Sequence, residues 1–197
     1  DQAVGDSLEH SAFAGTLTLR PESLLSVWTA IGAAVARTGL RKLVIFNSHG
    51  GQTGVVDQVA LRLRVEQGML VVRANYFAFG IPPGLFEHDE LAHGLHGGEL
   101  ETSLMLHLPP ELVRKQAMRD FAWPDTPADA LLQAEQPIGY AWMSQDLNPA
   151  GAVGHAARAD AGRGARLLDH LAHSLAAVLS QTAAMSLSTL RDGPGVG

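Results

Sequence analysis

Residues 43–51, with the sequence LVIFNSHGG, join four apolar residues to a turn that contains Asn47, His49, Gly50 and Gly51. A short continuous apolar run predicts a β-strand that is buried on both faces, as strands of a parallel sheet are. In open α/β sheets, ligands bind beyond the carboxyl ends of the strands, where loops lead into helices. The stretch therefore places His49 at a position suited to chemistry. The alternatives for a single histidine here are a phosphate-binding turn or a helix cap.

The flanking sequence extends this stretch into a strand-helix-strand unit. Helical periodicity predicts helices over residues 20–39, 53–67, 98–108 and 163–181. A second strand is predicted over residues 69–74, and strands joined in this way pair in parallel through a right-handed crossover. Residues 77–95 are rich in Gly, Pro and His and predict a long loop, and residues 120–155 predict irregular structure. The pattern is that of an α/β protein.

Composition limits the class of protein and of site. A chain of 197 residues with 46% hydrophobic and 17% charged residues can bury one core, so we expect a single domain over residues 1–182 and a disordered tail over 183–197. The net charge of −6 argues against nucleic acid as a partner. No apolar stretch approaches the roughly 20 residues that span a bilayer, which favours a cytoplasmic protein without a membrane partner. Without cysteine, any metal must be held by His and carboxylates.

A second glycine turn, HGGELE over residues 96–101, begins the third predicted helix. His96 and Glu99 are three residues apart and would share one face of that helix, a spacing that lets two side chains reach one ion. Glu101 would lie about 200° around the helix from Glu99, so one of the two carboxylates is expected to be structural. Acidic residues in a first turn also interact favourably with the helix dipole, which is the alternative explanation for both. The two histidine turns together suggest two walls of one metal-dependent active site.

Four ordered motifs give the chain a family resemblance. They are Ser7-x-Glu9-His10 with Phe13-x-Gly15-Thr16, Asn47-x-His49-Gly50-Gly51, the turn over residues 96–103, and Gly151-x-Val153-Gly154. In this order they resemble the creatininase (creatinine amidohydrolase) family over about residues 4–180. The resemblance implies a three-layer α/β/α sandwich with a mostly parallel sheet. It also implies hydrolysis of amide-type C–N bonds, a metal centre with two Zn or Mn ions per complete subunit, and a homo-oligomer, commonly a hexamer.

The resemblance also implies roles for individual residues. His49 matches a metal-ligand histidine, and His96 matches a catalytic histidine that transfers protons near the substrate. Members that act on creatinine carry a Glu two residues after the first histidine, where this chain has Gly51. Glu99 is therefore the candidate that supplies the carboxylate ligand in its place. The residues expected to contact the substrate or to support the site are Asn47, Gly50, Gly51, Glu9, His10 and Glu101. The implied substrate is a small amide, either creatinine or a related cyclic or linear amide.

Two departures from the family pattern define the alternatives. Ala92 stands four residues before His96, where creatinine-hydrolysing members place a Trp, so a peptidase that trims a redox-cofactor precursor peptide, or a deformylase, is an alternative within the family. The family's first motif, Glu-x-His followed by an Asp, is expected before Val4 and is not in the sequence, which makes an inactive subunit a second alternative. From a different class, a flavodoxin-like binding module would use residues 48–53 to hold a phosphate.

Overall fold

The structure is a computed structural model that describes residues 4–124, 130–134, 138–191 and 193. The chain divides into two compact units. The first contains Asp1–Leu8, Leu17–Gly80 and Leu171–Gly197, and the second contains Glu9–Thr16 and Ile81–His170. The single domain over residues 1–182 stays a prediction.

The first unit is built around a parallel pair of strands. Its elements up to Gly80 are α1 (Pro21–Arg37), β1 (Lys42–Asn47), α2 (Thr53–Gln67) and β2 (Leu70–Asn75). The two strands pair in parallel, with Lys42 opposite Leu70 and Asn47 opposite Asn75. This confirms the strand-helix-strand prediction. Helix α2 begins and ends at the predicted residues. It ends at Gln67 because Gly68 adopts the left-handed conformation that terminates a helix.

The core of the first unit lies between its helices and strands. Leu24 of α1, Leu63 of α2 and Met69 are fully buried there. Gly32 of α1 is also buried, and a Cβ atom added to it would overlap the Leu63 side chain. A glycine in the middle of a helix costs stability, so its presence here is explained by the close approach of the two helices.

The second unit contains shorter elements. They are α3 (His88–His93), α4 (Glu99–His107), β3 (Asp120–Phe121), α5 (Ser144–Leu147) and β4 (Gly154–His155). Strands β3 and β4 pair antiparallel. Leu147 and Val153 are buried in a small core with Leu95, Trp123 and Trp142. The described residues thus combine helices with one parallel and one antiparallel strand pair, and the three-layer sandwich stays a prediction.

Three predictions of local structure differ from what the structure contains. The predicted loop over residues 77–95 includes α3, whose six residues are too few to show a helical period. The region predicted to be irregular, residues 120–155, contains α5 and two short strands, which are likewise too short to show a period. Phe46, predicted to be buried, is 49% exposed and stacks on Phe79 with ring centroids 6.2 Å apart. Among the described residues β1 pairs with β2 only, whereas burial on both faces is typical of the central strands of larger parallel sheets.

Helix α6 (Ala161–Ala184) begins in the second unit and ends in the first. It extends three residues beyond the predicted end at Gln181, and a 3₁₀ turn follows at Leu187–Thr189. Two of the residues assigned to a disordered tail are therefore helical, while residues 192 and 194–197 of that tail lie outside the described residues. None of the helices formed by the described residues is both long enough and apolar enough to cross a membrane.

The contact between Gly32 and Leu63 predicts how the helices tolerate substitution. Gly32→Ala should lower the free energy of unfolding by about 1–3 kcal/mol, because the new methyl group overlaps Leu63. Leu63→Ala should cost about 2–5 kcal/mol by leaving a cavity. In the double variant the methyl group enters that cavity, so the loss should be smaller than the sum of the two. Urea denaturation of all three variants measures these values.

Gly54 of α2 provides the matched control. A Cβ atom added there meets nothing within 4 Å. Gly54→Ala should therefore leave stability unchanged or raise it by up to about 1 kcal/mol through helix propensity. Equal stabilities of the Gly32→Ala and Gly54→Ala variants would contradict the close packing of α1 on α2.

Candidate active site

The first histidine turn is held by the side chain of Asn47. This residue ends β1 and is 2% exposed. Its Nδ2 donates to the backbone oxygen of His49 at 2.8 Å, and its Oδ1 accepts from the backbone N–H of His49 at 3.2 Å. One primary amide therefore pairs with both backbone polar groups of His49 and fixes the path of the chain through the turn.

The same amide connects the turn to the neighbouring strand. Asn47 Nδ2 also donates to Oδ1 of Asn75, which lies directly opposite it in β2, at 2.9 Å. Asn47 Oδ1 also accepts from Nε2 of Gln52 at 2.8 Å. These four hydrogen bonds use both donors and both acceptor positions of the buried side chain. The ends of β1 and β2 are thus locked together beneath the turn.

The His49 imidazole is oriented by Ser7. Nε2 of His49 lies 3.2 Å from Ser7 Oγ, and the backbone N–H of Ser7 donates to Thr18 Oγ1 at 2.9 Å. Ser7 belongs to a motif that the sequence singled out, although no role was predicted for it. A Cβ atom added to Gly50 would meet no described atom within 4 Å, so the space beside the turn is open to a ligand. Gly51 shares the 3₁₀ turn Gly50–Gln52.

The second histidine turn lies in the second unit, where His96 bridges to Val153. The His96 N–H donates to the Val153 oxygen at 3.2 Å, and the Val153 N–H donates back at 2.7 Å. Gly97 follows with φ +64°, a conformation that favours glycine, and its N–H donates to Glu101 Oε2 at 2.6 Å. The same Oε2 lies 3.8 Å from Nδ1 of His96, and the His96 side chain is 45% exposed. Hydrogen bonds thus hold the backbone of the turn, and the half-exposed His96 imidazole lies beside a carboxylate.

His10 packs against His96. The two rings lie 4.1 Å apart between centroids at an interplanar angle of 35°. Ser144 Oγ is hydrogen-bonded to Nδ1 of His10, and Glu9 Oε1 lies 3.4 Å from its Nε2. Four predicted site residues, Glu9, His10, His96 and Glu101, therefore gather in one part of the second unit. Ser144 is buried and was not predicted, because it lies in a stretch without periodicity.

Glu99 occupies a different environment from Glu101, as the helix geometry predicts. The Glu99 side chain is fully buried, and Oε1 forms an ion pair with Arg163 of α6. Its Oε2 has no hydrogen-bond partner among the described residues. Burial raises the pKa of the Glu99 carboxyl although the Arg163 guanidinium opposes this, and the nearby Glu90 carboxylate raises it further. Glu99 and His96 are close in sequence, but the carboxylate is directed at Arg163.

The described residues do not by themselves supply a metal centre. No three His, Cys, Asp or Glu side chains among residues 4–124, 130–134, 138–191 and 193 are grouped so that they could hold an ion. His49 belongs to the first unit and Glu99 to the second. Structural and catalytic zinc sites use at least three protein ligands. The two predicted ligands therefore fall short of such a site.

The chain is similar in sequence to known hydrolases. The model of the creatininase family, described as creatinine amidohydrolase, matches residues 1–179. A mycofactocin precursor peptide peptidase of Mycobacterium tuberculosis is 32% identical over 165 residues, which are 84% of this chain and 58% of the relative. A peptidase of the same name from Mycobacterium ulcerans is 31% identical over the same shares. The chain thus spans little more than half the length of these curated relatives.

Solved structures with a similar fold carry the same family name. A candidate creatinine amidohydrolase from Bacteroides fragilis is 26% identical with a TM-score of 0.71, and the match covers 90% of this chain and 68% of that one. A mutant creatininase of the Zn–Zn type is 26% identical with a TM-score of 0.66, covering 86% and 67%. A creatininase in the Mn form is 25% identical with the same TM-score and the same shares. The fold is therefore creatininase-like, with mixed helices and strands.

The Asn47 network predicts a large effect of an isosteric change. Asn47→Asp removes both donors and places a buried carboxylate beside Asn75 Oδ1, so the free energy of unfolding should fall by about 2 kcal/mol or more near pH 7. Loss of the bond to the His49 oxygen should let the turn open more often, so the backbone N–H of His49 should exchange faster with solvent. Denaturant titration and amide hydrogen exchange test both effects. Asn148→Asp, the same change at a half-buried loop residue whose side chain makes two hydrogen bonds instead of four, is the control and should cost less than about 1 kcal/mol.

Proposed function

Because the chain belongs to the creatininase family, we propose that this protein is an amidohydrolase that cleaves an amide-type C–N bond. The match of residues 1–179 to the family supports this proposal over nearly the whole chain. We further propose the family's three-layer α/β/α architecture with a mostly parallel sheet, a single domain over residues 1–182 and a homo-oligomeric assembly. The family match argues against the flavodoxin-like alternative, which also leaves the His96 turn unexplained.

The observation that carries the proposal is the grouping of His96 with His10 and Glu101. Hydrolysis of an amide requires a proton for the leaving nitrogen, and a half-exposed imidazole is suited to deliver it near neutral pH. Glu101 Oε2 lies 3.8 Å from Nδ1 of His96, and the His10 ring packs on the His96 ring, so both neighbours limit the orientations of the imidazole. His96 is thus proposed as the catalytic acid-base residue. Glu9 and Ser144 are proposed to support it by holding His10.

A divalent metal, Zn or Mn, is proposed as the cofactor, with two ions per complete subunit. The support is the Zn–Zn and Mn forms of the solved creatininases. When bound, such an ion supplies a water that is deprotonated near neutral pH. His49 is the proposed ligand of this chain, at the end of β1. Glu99 is the second proposed ligand, and the oxygen that would bind an ion is Oε2, which has no hydrogen-bond partner among the described residues, whereas Oε1 is paired with Arg163.

Among amide substrates we favour a linear peptide over creatinine. The curated relatives at 31–32% identity are peptide peptidases by name, whereas the solved creatininases cited above are 25–26% identical. Ala92 supports the same choice, because it provides no aromatic surface at the position where creatinine-hydrolysing members place a Trp. Ala92 lies exposed on α3. An extended peptide needs an open approach of this kind more than a small ring does.

The two histidines should differ when replaced in the full-length protein. His49→Ala should abolish metal retention, whereas His96→Ala should leave metal bound and reduce turnover by roughly a hundredfold or more. Elemental analysis by mass spectrometry gives the metal content, and released amine gives the turnover. His107→Ala, an exposed histidine at the end of α4, is the matched control and should change neither quantity. Full turnover in both the His49 and His96 variants would overturn these assignments.

Substrate choice can be tested directly on the purified protein. We expect cleavage products from a library of unstructured peptides, detected by mass spectrometry, and little or no conversion of creatinine to creatine. The Ala92→Trp variant should shift this ratio towards creatinine if the position sets specificity. Efficient hydrolysis of creatinine by the unaltered protein would contradict the preference for peptides. Metal binding without hydrolysis of any amide would instead favour the inactive-subunit alternative.

A further inference from the structure

We infer that Glu90 is a positioning residue that fixes the place of His96 in the second unit. The inference rests on the proposed function of His96 in proton transfer. Glu90 lies on α3 and its side chain is 3% exposed, so its carboxylate is removed from water. A buried carboxylate is costly unless hydrogen bonds satisfy it. The Glu90 carboxylate accepts hydrogen bonds from the chain segment that follows His96 and from the segment that pairs with it.

The first oxygen of Glu90 caps helix α4. Oε1 accepts from the backbone N–H of Glu99 at 2.7 Å and from that of Leu100 at 3.3 Å. These groups open the helix and have no carbonyl partner within it. The residue that precedes α4, Gly98, has no side chain with which to cap it. Glu90 therefore supplies from another helix the acceptor that α4 lacks, and a carboxylate at this end also interacts favourably with the helix dipole.

The second oxygen of Glu90 holds the strand beside the turn. Oε2 accepts from the backbone N–H of His155 at 2.7 Å, in β4. Val153, two residues earlier, makes both backbone hydrogen bonds to His96. His96 itself lies three residues before Glu99. One carboxylate is therefore bonded to the chain segment that follows His96 and to the segment that pairs with it.

Three glycines leave room for this carboxylate. A Cβ atom on Gly154, whose φ is +135°, would lie 2.9 Å from Glu90 Oε2 and 2.7 Å from the Cα of Gly98. Cβ atoms on Gly94 and Gly98 would overlap the Glu90 carboxyl group. Side chains at these positions would displace Glu90 or separate the two segments. The three glycines thus leave the space that the Glu90 carboxylate occupies between these backbone segments.

The neighbouring residue Asp89 provides a matched control. Its Oδ2 lies 2.9 Å from Nε2 of the His155 side chain, whose Nδ1 lies 2.8 Å from Asp120 Oδ1. Asp89 thus contacts the side chain of His155, whereas Glu90 contacts its backbone. Asp89→Asn and Glu90→Gln each remove one carboxylate from adjacent positions of α3. Only the second replaces one of the two oxygens that accept from the backbone N–H groups of α4 and β4.

The test compares Glu90→Gln, Glu90→Asp and Asp89→Asn in the full-length protein. In Glu90→Gln, the backbone N–H groups of Glu99, Leu100 and His155 should exchange with solvent about tenfold faster or more. The glutamine side chain has only one acceptor oxygen, and its NH2 group would face the N–H groups that lose their acceptor. The NMR signals of the His96 imidazole should shift, and kcat for amide hydrolysis should fall about tenfold with KM little changed. Asp89→Asn should alter none of these.

Glu90→Asp keeps the charge but shortens the side chain by one methylene. It should restore part of the amide protection and part of kcat, and it replaces Glu90→Gln as the decisive variant if the latter does not fold. Faster amide exchange with unchanged His96 signals and unchanged kcat would make Glu90 a helix cap alone and would overturn the inference. Failure of the unaltered protein to hydrolyse any amide would count against the proposed function, whereas the exchange rates and His96 signals would still decide the role of Glu90.

Discussion

In each unit one buried side chain makes several hydrogen bonds to the backbone of a histidine turn or of the segments beside it. Neither α2 nor α4 begins with a residue whose own side chain caps it. In the first unit Asn47 pairs with both backbone groups of His49 and with Gln52, and in the second the Glu90 carboxylate pairs with the start of α4 and with β4. Glycine-rich turns have little intrinsic stiffness. The buried amide and the buried carboxylate supply the rigidity that the turns lack.

The two carboxylates in the first turn of α4 have different contacts. Glu99 is buried against Arg163, and Glu101 lies at the surface beside His96. Breaking a buried ion pair by removing one partner leaves a charge without compensation, at a cost of about 3–5 kcal/mol. Glu99 therefore contributes to the packing of α4 on the start of α6, in addition to its proposed role as a metal ligand. Gly164 of α6 permits that contact, since a Cβ atom there would overlap the backbone of Ser103.

Several elements could be predicted because their signals are local. Helix α2 has a regular apolar stripe and a terminating Gly68, and the parallel pairing of β1 with β2 follows from the helix between them. Helix α3 could not be predicted, because six residues carry no measurable period. Ser144, Glu90 and Arg163 lacked any local signal, since each acts on a partner at least nine residues away along the chain. Their roles depend on long-range contacts.

Four features could be predicted from the sequence alone: the family, the strand-helix-strand unit, the two histidine turns and the opposite directions of Glu99 and Glu101. The last three follow from short-range periodicity and glycine placement, which are properties of neighbouring residues, and the family follows from the order of four short motifs along the chain. Long-range contacts in the fold determine which groups hydrogen-bond to the histidine turns, that Glu99 pairs with Arg163 and not with His96, and that His10 packs on His96. Such choices are made when buried polar groups lose water and must find partners in space, and those partners are distant in sequence.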